Sequence, residues 1–293
     1  MGKLISLSKK YYTEKIKTLL KLYKERVPIP DTILLSSDDV NQKNKLMQYA
    51  LEWKSERFYL RFCFSDIDYP HYYSATPMLS ELGCSFNKLH AQMQNKSHFD
   101  IICQPLLDKI EWSGGIIAYN HKLYIEFVYG MGALLFRNGR IYGRILIDEE
   151  KEKNKFYRQD TALHLIDGEV KETKINIDNF VIPQFSEIVH NITFCNDILY
   201  EFGISNNKNI YFFDGKKTHS FIFFEKINNI YSENVVLEEE HLTSKCFKTE
   251  YPMLKDLKNI HENMIVYIEK GAILSHLCSY MVQKGYKWIF SNI

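Results

Sequence analysis

The chain has 293 residues, 45% hydrophobic and 25% charged, with 37 Lys and Arg against 36 Asp and Glu. That length and apolar content suffice for two ordinary domains with substantial cores. The near-balance of charge gives a nucleic-acid role no whole-chain support, and no apolar run of about 18 residues offers a transmembrane helix. The six cysteines are scattered without a CxxC pair, which argues against a zinc ribbon or redox motif. The first residues, "MGKLISLSKKYYTEK", lack the apolar stretch of a signal peptide. Reduced thiols and a soluble cytoplasmic protein are the expectation.

In chain order, "YYTEKIKTLLKLYKERV" places Ile16, Leu19, Leu20 and Tyr23 at helical spacing, with lysines between them. Pro28 and Pro30 end that helix and launch an extended run. A second helix is expected from Ser37 to Ser55, opened by a Ser/Asp cap signal. "RFYLRFCFS", "DIICQPLL", "GGIIAYNHKLYIEFVYG" and "ALLFRNGRIYGRILID" then read as strands, joined by turns at "YNHK" and at Asn138-Gly139. The charged interval "DEEKEKNKFYRQD" is expected to be exposed.

Further along, "VIPQFSEIVHNITFCNDIL" reads as a helix with Ile188, Ile192, Cys195, Ile198 and Leu199 on one face. "YEFGISNNKNIYFFDGKKTHSFIFF" returns to strands around a polar turn. The stretch 225–245 is polar and acidic, a hinge or linker. "MIVYIE" and "KWIFSNI" read as strands flanking a helix in "KGAILSHLCSYMVQKGY". The expected fold class is α+β, with a body over 1–224, a linker over 225–245 and a small C-terminal module over 246–293.

Chemistry concentrates in few places. Glu201 and Asp214 flank the "NNKN" turn, and two converging carboxylates near Arg61 and Lys216 would suit Mg²⁺ and the oxygens of a polyphosphate. His276 is a titratable imidazole in an otherwise apolar, lightly basic segment. It is either a core histidine or a nucleophile on a mobile element.

Read in order, these segments resemble the family of phosphoenolpyruvate synthase, pyruvate phosphate dikinase and rifampicin phosphotransferase. "MGKLISL" is similar to its opening, with Lys3 meeting the nucleotide phosphates. "LRFCFSDIDYPHYYSATPMLS" resembles the segment carrying the phosphate-binding arginine, here Arg61, and a lid loop with Thr76 and Ser80. "IICQPLLDKIEWSGGII" supplies an adenine-side glutamine, Gln104, and "YIEFVYGMGALL" a glycine segment led by Glu126. Glu201, Asp214 and Lys216 stand at the spacing of its two metal ligands and the basic residue that follows them. His276 falls on its phosphoryl-carrier motif.

The resemblance implies an ATP-grasp-like nucleotide-binding body with a C-terminal phosphohistidine module. ATP, held with Mg²⁺, would phosphorylate His276, which would swing about a hinge near 228–245 to a small-molecule or protein acceptor. The chain departs from the pattern at Phe62, Cys63, Thr76, Ala133, Asp214 and Lys216, and it carries no acceptor-substrate domain. Three other readings stand beside this one: an inactive ATP-binding regulatory module, an ATP-grasp ligase that forms an acyl-phosphate and needs no carrier histidine, and a structural component of an assembly.

Overall fold

A computed structural model describes residues 2–64, 73–93, 98–107, 110–149, 151–167, 169–231, 246–261 and 264–290. The chain is a mixed α/β protein that divides into two units, Met1–Lys109 with Tyr211–Lys216, and Ile110–Ile210 with Lys217–Ile293. The division falls away from the expected boundary at 224, and the residues expected to form a C-terminal module belong to the second unit.

The first unit runs β1 (Leu4–Ser6), α1 (Glu14–Lys24), β2 (Thr32–Ser36), α2 (Lys43–Glu52), β3 (Phe58–Phe64), β4 (Tyr73–Ala75), α3 (Leu82–Gln92) and β5 (Phe99–Pro105). Its sheet has the order β1-β2-β5-β3-β4. The β1–β2 pair is parallel, closed by the α1 crossover, and the other pairs are antiparallel. The expected Ser37–Ser55 helix is broken: a 3-10 turn over Ser37–Gln42, with Asp39 out of helical geometry, precedes α2.

Alternation gives this sheet two unlike faces. Ile33, Leu35, Phe58, Leu60, Phe62, Ile101 and Cys103 pack with Leu46 and Ala50 of α2 and with Leu82, Phe86 and Leu89 of α3. The period of two therefore sends Thr32, Tyr59, Arg61, Cys63, Asp100 and Gln104 to the opposite face.

The second unit continues with β6 (Ile110–Tyr119), β7 (Lys122–Tyr129), α4 (Ala133–Phe136), β8 (Gly143–Asp148) and β9 (Lys151–Phe156). Next come β10 (Thr161–Ile166), β11 (Glu169–Lys174), α5 (Phe185–Val189), β12 (Ile198–Ser205), then β13 (Ile210–Lys217), whose residues 211–216 belong to the first unit, and α6 (Ser220–Tyr231). It ends with β14 (Cys246–Thr249), β15 (Ile265–Ile268), α7 (His276–Lys284) and β16 (Lys287–Phe290). Strands β12, β6, β7, β8 and β9 lie in that order in an antiparallel sheet. Strands β10 and β11 pair as a separate hairpin, and β14, β15 and β16 form a parallel sheet.

Four expectations are corrected here. Asn138-Gly139 is a helix stop rather than a hairpin turn. The residues before it wind into α4, and Gly139, at φ +64°, donates its N–H to Leu135 O while Arg140 N–H reaches Leu134 O. The long helix expected to end at Leu199 is only Phe185–Val189. Asp197 adopts φ +61°, which stops helical winding, and Ile198 opens β12 against β6. "SFIFF" is helical, because Asp197 and Ser220 exchange hydrogen bonds (Asp197 N to Ser220 Oγ at 3.0 Å, Ser220 N to Asp197 Oδ1 at 2.9 Å) at the start of α6. The linker expected over 225–245 begins inside α6, and its remainder, 232–245, lies outside the described residues.

The C-terminal strands and α7 pack within the second unit. Leu274, Leu277, Cys278, Met281, Trp288 and Phe290 share one apolar core with Tyr124 of β7, Leu135 of α4 and Phe223 and Ile227 of α6. Among the described residues no helix is long and apolar enough to cross a membrane.

Candidate functional site

The polar face of the first unit gathers three residues that the sequence singles out. β3 and β5 pair antiparallel, so Tyr59 faces Gln104, Arg61 faces Ile102 and Cys63 faces Asp100. Segment 211–216 joins this unit through Phe212, whose N–H donates to Pro28 O at 2.8 Å. It carries Asp214, and Arg61 Nη1 donates to Asp214 Oδ2 at 2.8 Å. The Arg61 guanidinium also lies over the Tyr59 ring, 4.7 Å from its centroid, a cation–π contact.

Lys15 is the member that sequence motifs do not single out. Its ammonium pairs with the same oxygen, Asp214 Oδ2. The signal was available: Lys15, Thr18, Leu19 and Leu22 fall at i, i+3, i+4 and i+7 of α1, and the last three are buried. A lysine opening an inward stripe needs an anionic partner.

Two buried acceptors on this face are incomplete. Gln104 Nε2 donates to Thr32 Oγ1 at 3.1 Å, and Thr32 Oγ1 in turn donates to Pro30 O at 2.8 Å. Gln104 Oε1 and Asp214 Oδ1 have no hydrogen-bond partner among the described residues, although each residue is only 1% exposed. Leaving a buried acceptor without a donor costs about 1–3 kcal/mol. Sites of this kind are where ligands or ordered water complete a structure.

The same face holds two further titratable groups. Burial pushes the Cys63 thiol up to about 11, against the pull of Lys15 and Arg61. Asp100 accepts from Thr13 N and Thr13 Oγ1, both at 2.6 Å, and from Tyr12 N at 3.0 Å. It thereby fills the N-terminus of α1 with a carboxylate from a neighbouring strand. Burial outweighs those hydrogen bonds and raises the Asp100 carboxyl above its ordinary range.

The other expected nucleotide-side residues are less buried. Lys3 is exposed, and its backbone N–H donates to Asp31 Oδ1 at 2.6 Å. Thr76 follows β4 and is half-buried, and Ser80 is exposed in the turn before α3. Lys216 is half-buried in the first unit. Most of the expected lid loop, 65–72, falls outside the described residues. Glu201 belongs to the second unit, half-buried on β12 opposite Gly115, so the two expected metal ligands sit on different units. No cluster of three or more His, Cys, Asp or Glu suited to a metal ion occurs among the described residues.

In the second unit, Glu126 and His276 have structural surroundings. Glu126 is fully buried and accepts four hydrogen bonds. Oε1 takes Arg144 Nε at 3.0 Å, Tyr124 Oη at 2.7 Å and Ile273 N at 3.0 Å, and Oε2 takes Leu274 N at 2.8 Å. Arg144 continues to Tyr157 Oη at 2.7 Å and to the Gly271 carbonyl. This network ties the loop before α7 to β7 and β8. His276 follows directly as the first residue of α7, after Ser275, whose Oγ caps Cys278 N at 3.2 Å. It is 7% exposed and stacks on Phe136 with ring centroids 5.5 Å apart.

No protein-family model matches the chain, and no curated protein does. Solved structures give weak likenesses. The D-alanyl-alanine synthetase A of Vibrio cholerae O1 biovar eltor aligns at TM-score 0.37 with 12% identity, over 69% of this chain and 54% of its own. The macrocyclase MdnC of Microcystis aeruginosa MRC, solved with its precursor peptide MdnA, aligns at 0.36 with 12% identity, over 69% and 51%. A RiPP-associated ATP-grasp ligase of Chryseobacterium gregarium, in complex with ADP and leader and core peptides, aligns at 0.37 with 12% identity, over 75% and 55%. The chain thus spans about half the length of these proteins. Likeness at such scores does not establish a shared fold. The resemblance to the phosphoenolpyruvate-utilising dikinases is nevertheless corrected: no family model supports it, the structures named are ligases, and the segment meant to carry His276 is pinned into a common core.

Proposed function

We propose that the chain is an ATP-dependent enzyme of the ligase type, with an ATP-grasp-like organisation. A substrate carboxylate oxygen attacks the γ-phosphorus of ATP, the bond to the β–γ bridging oxygen breaks, and ADP leaves as an acyl-phosphate forms. A nucleophile such as an amine then takes the acyl carbon and releases phosphate. This chemistry asks for positioned cations and hydrogen-bonding groups around phosphate. It asks for no carrier histidine, which suits a chain whose His276 is packed on Phe136.

The observation that carries the reading is the pair of buried acceptors, Gln104 Oε1 and Asp214 Oδ1, left without donors among the described residues on the face that presents Arg61. Arg61 is assigned to phosphate oxygens and Gln104 to the nucleotide's donor groups. Lys3, Thr76, Ser80 and Lys216 are assigned to the rim of the nucleotide. A lone carboxylate oxygen does not make a resident metal site, but it fits Mg²⁺ that arrives with ATP, since that ion is bound through one or two carboxylates plus substrate phosphates. Asp214 is the carboxylate of the first unit proposed for it.

The test is to incubate the protein with MgATP, hydroxylamine and a panel of carboxylic and amino acids. The expected result is hydroxamate and ADP in equal amounts, lost in Arg61→Ala. AMP as the nucleotide product, or an Arg61→Ala protein that stays folded and binds ATP as tightly as wild type, would overturn the reading.

A further inference from the structure

We propose that Lys15 is a second phosphate-binding residue of the first unit, held in register with Arg61 by Asp214; this rests on the ATP-dependent reading above. The two cations come from different elements, α1 and β3, yet both are drawn to one oxygen, Asp214 Oδ2. A carboxylate used only to neutralise one cation would not need the other beside it. Two cations steered to a common point repel each other. That arrangement is useful where an anion with several oxygens will bridge them. A phosphate group does so, taking a guanidinium fork on one edge and a compact ammonium on another.

The inward placement of Lys15 agrees. It opens the buried stripe of α1 instead of the solvent side, where Lys17 pairs with Glu14. The thiol of Cys63 feels both Lys15 and Arg61, which places all three groups in one patch of the polar face. Asp214 is then a positioning residue through Oδ2, whatever its Oδ1 meets.

Inorganic tripolyphosphate is the probe, titrated into the full chain calorimetrically in wild type, Arg61→Ala, Lys15→Met and Lys15→Arg. The expected loss in Lys15→Met is about tenfold to a hundredfold, the worth of one charge-assisted hydrogen bond, with partial recovery in Lys15→Arg. A folded Lys15→Met protein that binds like wild type overturns the inference. Should Lys15→Met not fold, reductive methylation of wild type decides instead: tripolyphosphate should slow labelling of Lys15 several-fold and leave Lys17 unchanged, and equal labelling overturns the inference. If wild type binds neither tripolyphosphate nor ATP, the ligase reading itself fails. If wild type binds and only Arg61→Ala is impaired, the ligase reading survives without Lys15.

Discussion

Two buried charge clusters, one in each unit, look alike in composition and differ in how completely they are satisfied. Glu126 receives an arginine, a tyrosine hydroxyl and two consecutive backbone N–H groups, so both of its oxygens are engaged. Asp214 receives two cations on one oxygen and no hydrogen bond on the other among the described residues. A closed network serves the fold, because its members answer one another and leave nothing for a ligand. A network with an open acceptor is where a binding partner gains most. Glu126 and His276 stand in motifs that suggest chemistry; in the fold Glu126 ties the loop ahead of α7 to β7 and β8, and His276 packs on Phe136.

The largest expected effect breaks the closed cluster. Glu126→Ala strands Arg144 and two backbone donors in the core, and should cost about 3–5 kcal/mol of stability, read as a lowered urea midpoint or failure to fold. Arg61→Ala probes the open cluster. It should abolish ATP-dependent hydroxamate formation, yet lower the urea midpoint less than Glu126→Ala does, because Lys15 still pairs with Asp214. The reverse ranking of the two midpoints would mean that the Asp214 cluster is the structural one. His276→Ala should lose about 1 kcal/mol, the scale of an aromatic contact, and keep hydroxamate formation. Loss of turnover in a protein of unchanged midpoint would return His276 to the chemistry.

The smallest effect concerns pH. The Asp100 carboxyl is raised in the folded state by burial. Between its ordinary unfolded value and that raised value, the folded chain holds more protons than the unfolded chain. Stability contributed by Asp100 is therefore fully present below the unfolded value and declines as pH climbs through the window. Asp100→Asn should flatten that decline in urea unfolding across the acid range, and an unchanged slope would assign it to other groups.

Much of this was legible locally. The period of two in "RFYLRFCFS" and "DIICQP" predicts strands, and the alternation carries Arg61 and Gln104 to the polar face. Asn120 and His121 both adopt positive φ, at +48° and +64°, as a tight hairpin turn requires. Periodicity misled where an apolar stripe fits two structures: Ile198 and Leu199 suit a helix face, but pairing with β6 made them strand. Asn138-Gly139 tolerates left-handed geometry in either setting, and only the winding of α4 before it chose the helix stop.

By itself the sequence determined the strand alternation, the helical stripe of α1 and the positions of the charged residues, because each depends on neighbours within a few residues. It did not contain the meeting of Lys15, Arg61 and Asp214, which stand up to 199 positions apart along the chain. Nor did it show that Glu126 would cap the loop ahead of α7 across 147 positions. Those partnerships depend on which strands pair and which faces are buried. The energy of a buried charge is set by the partner that folding brings to it. Tertiary structure alone therefore decided which carboxylate closes a network and which leaves an oxygen open.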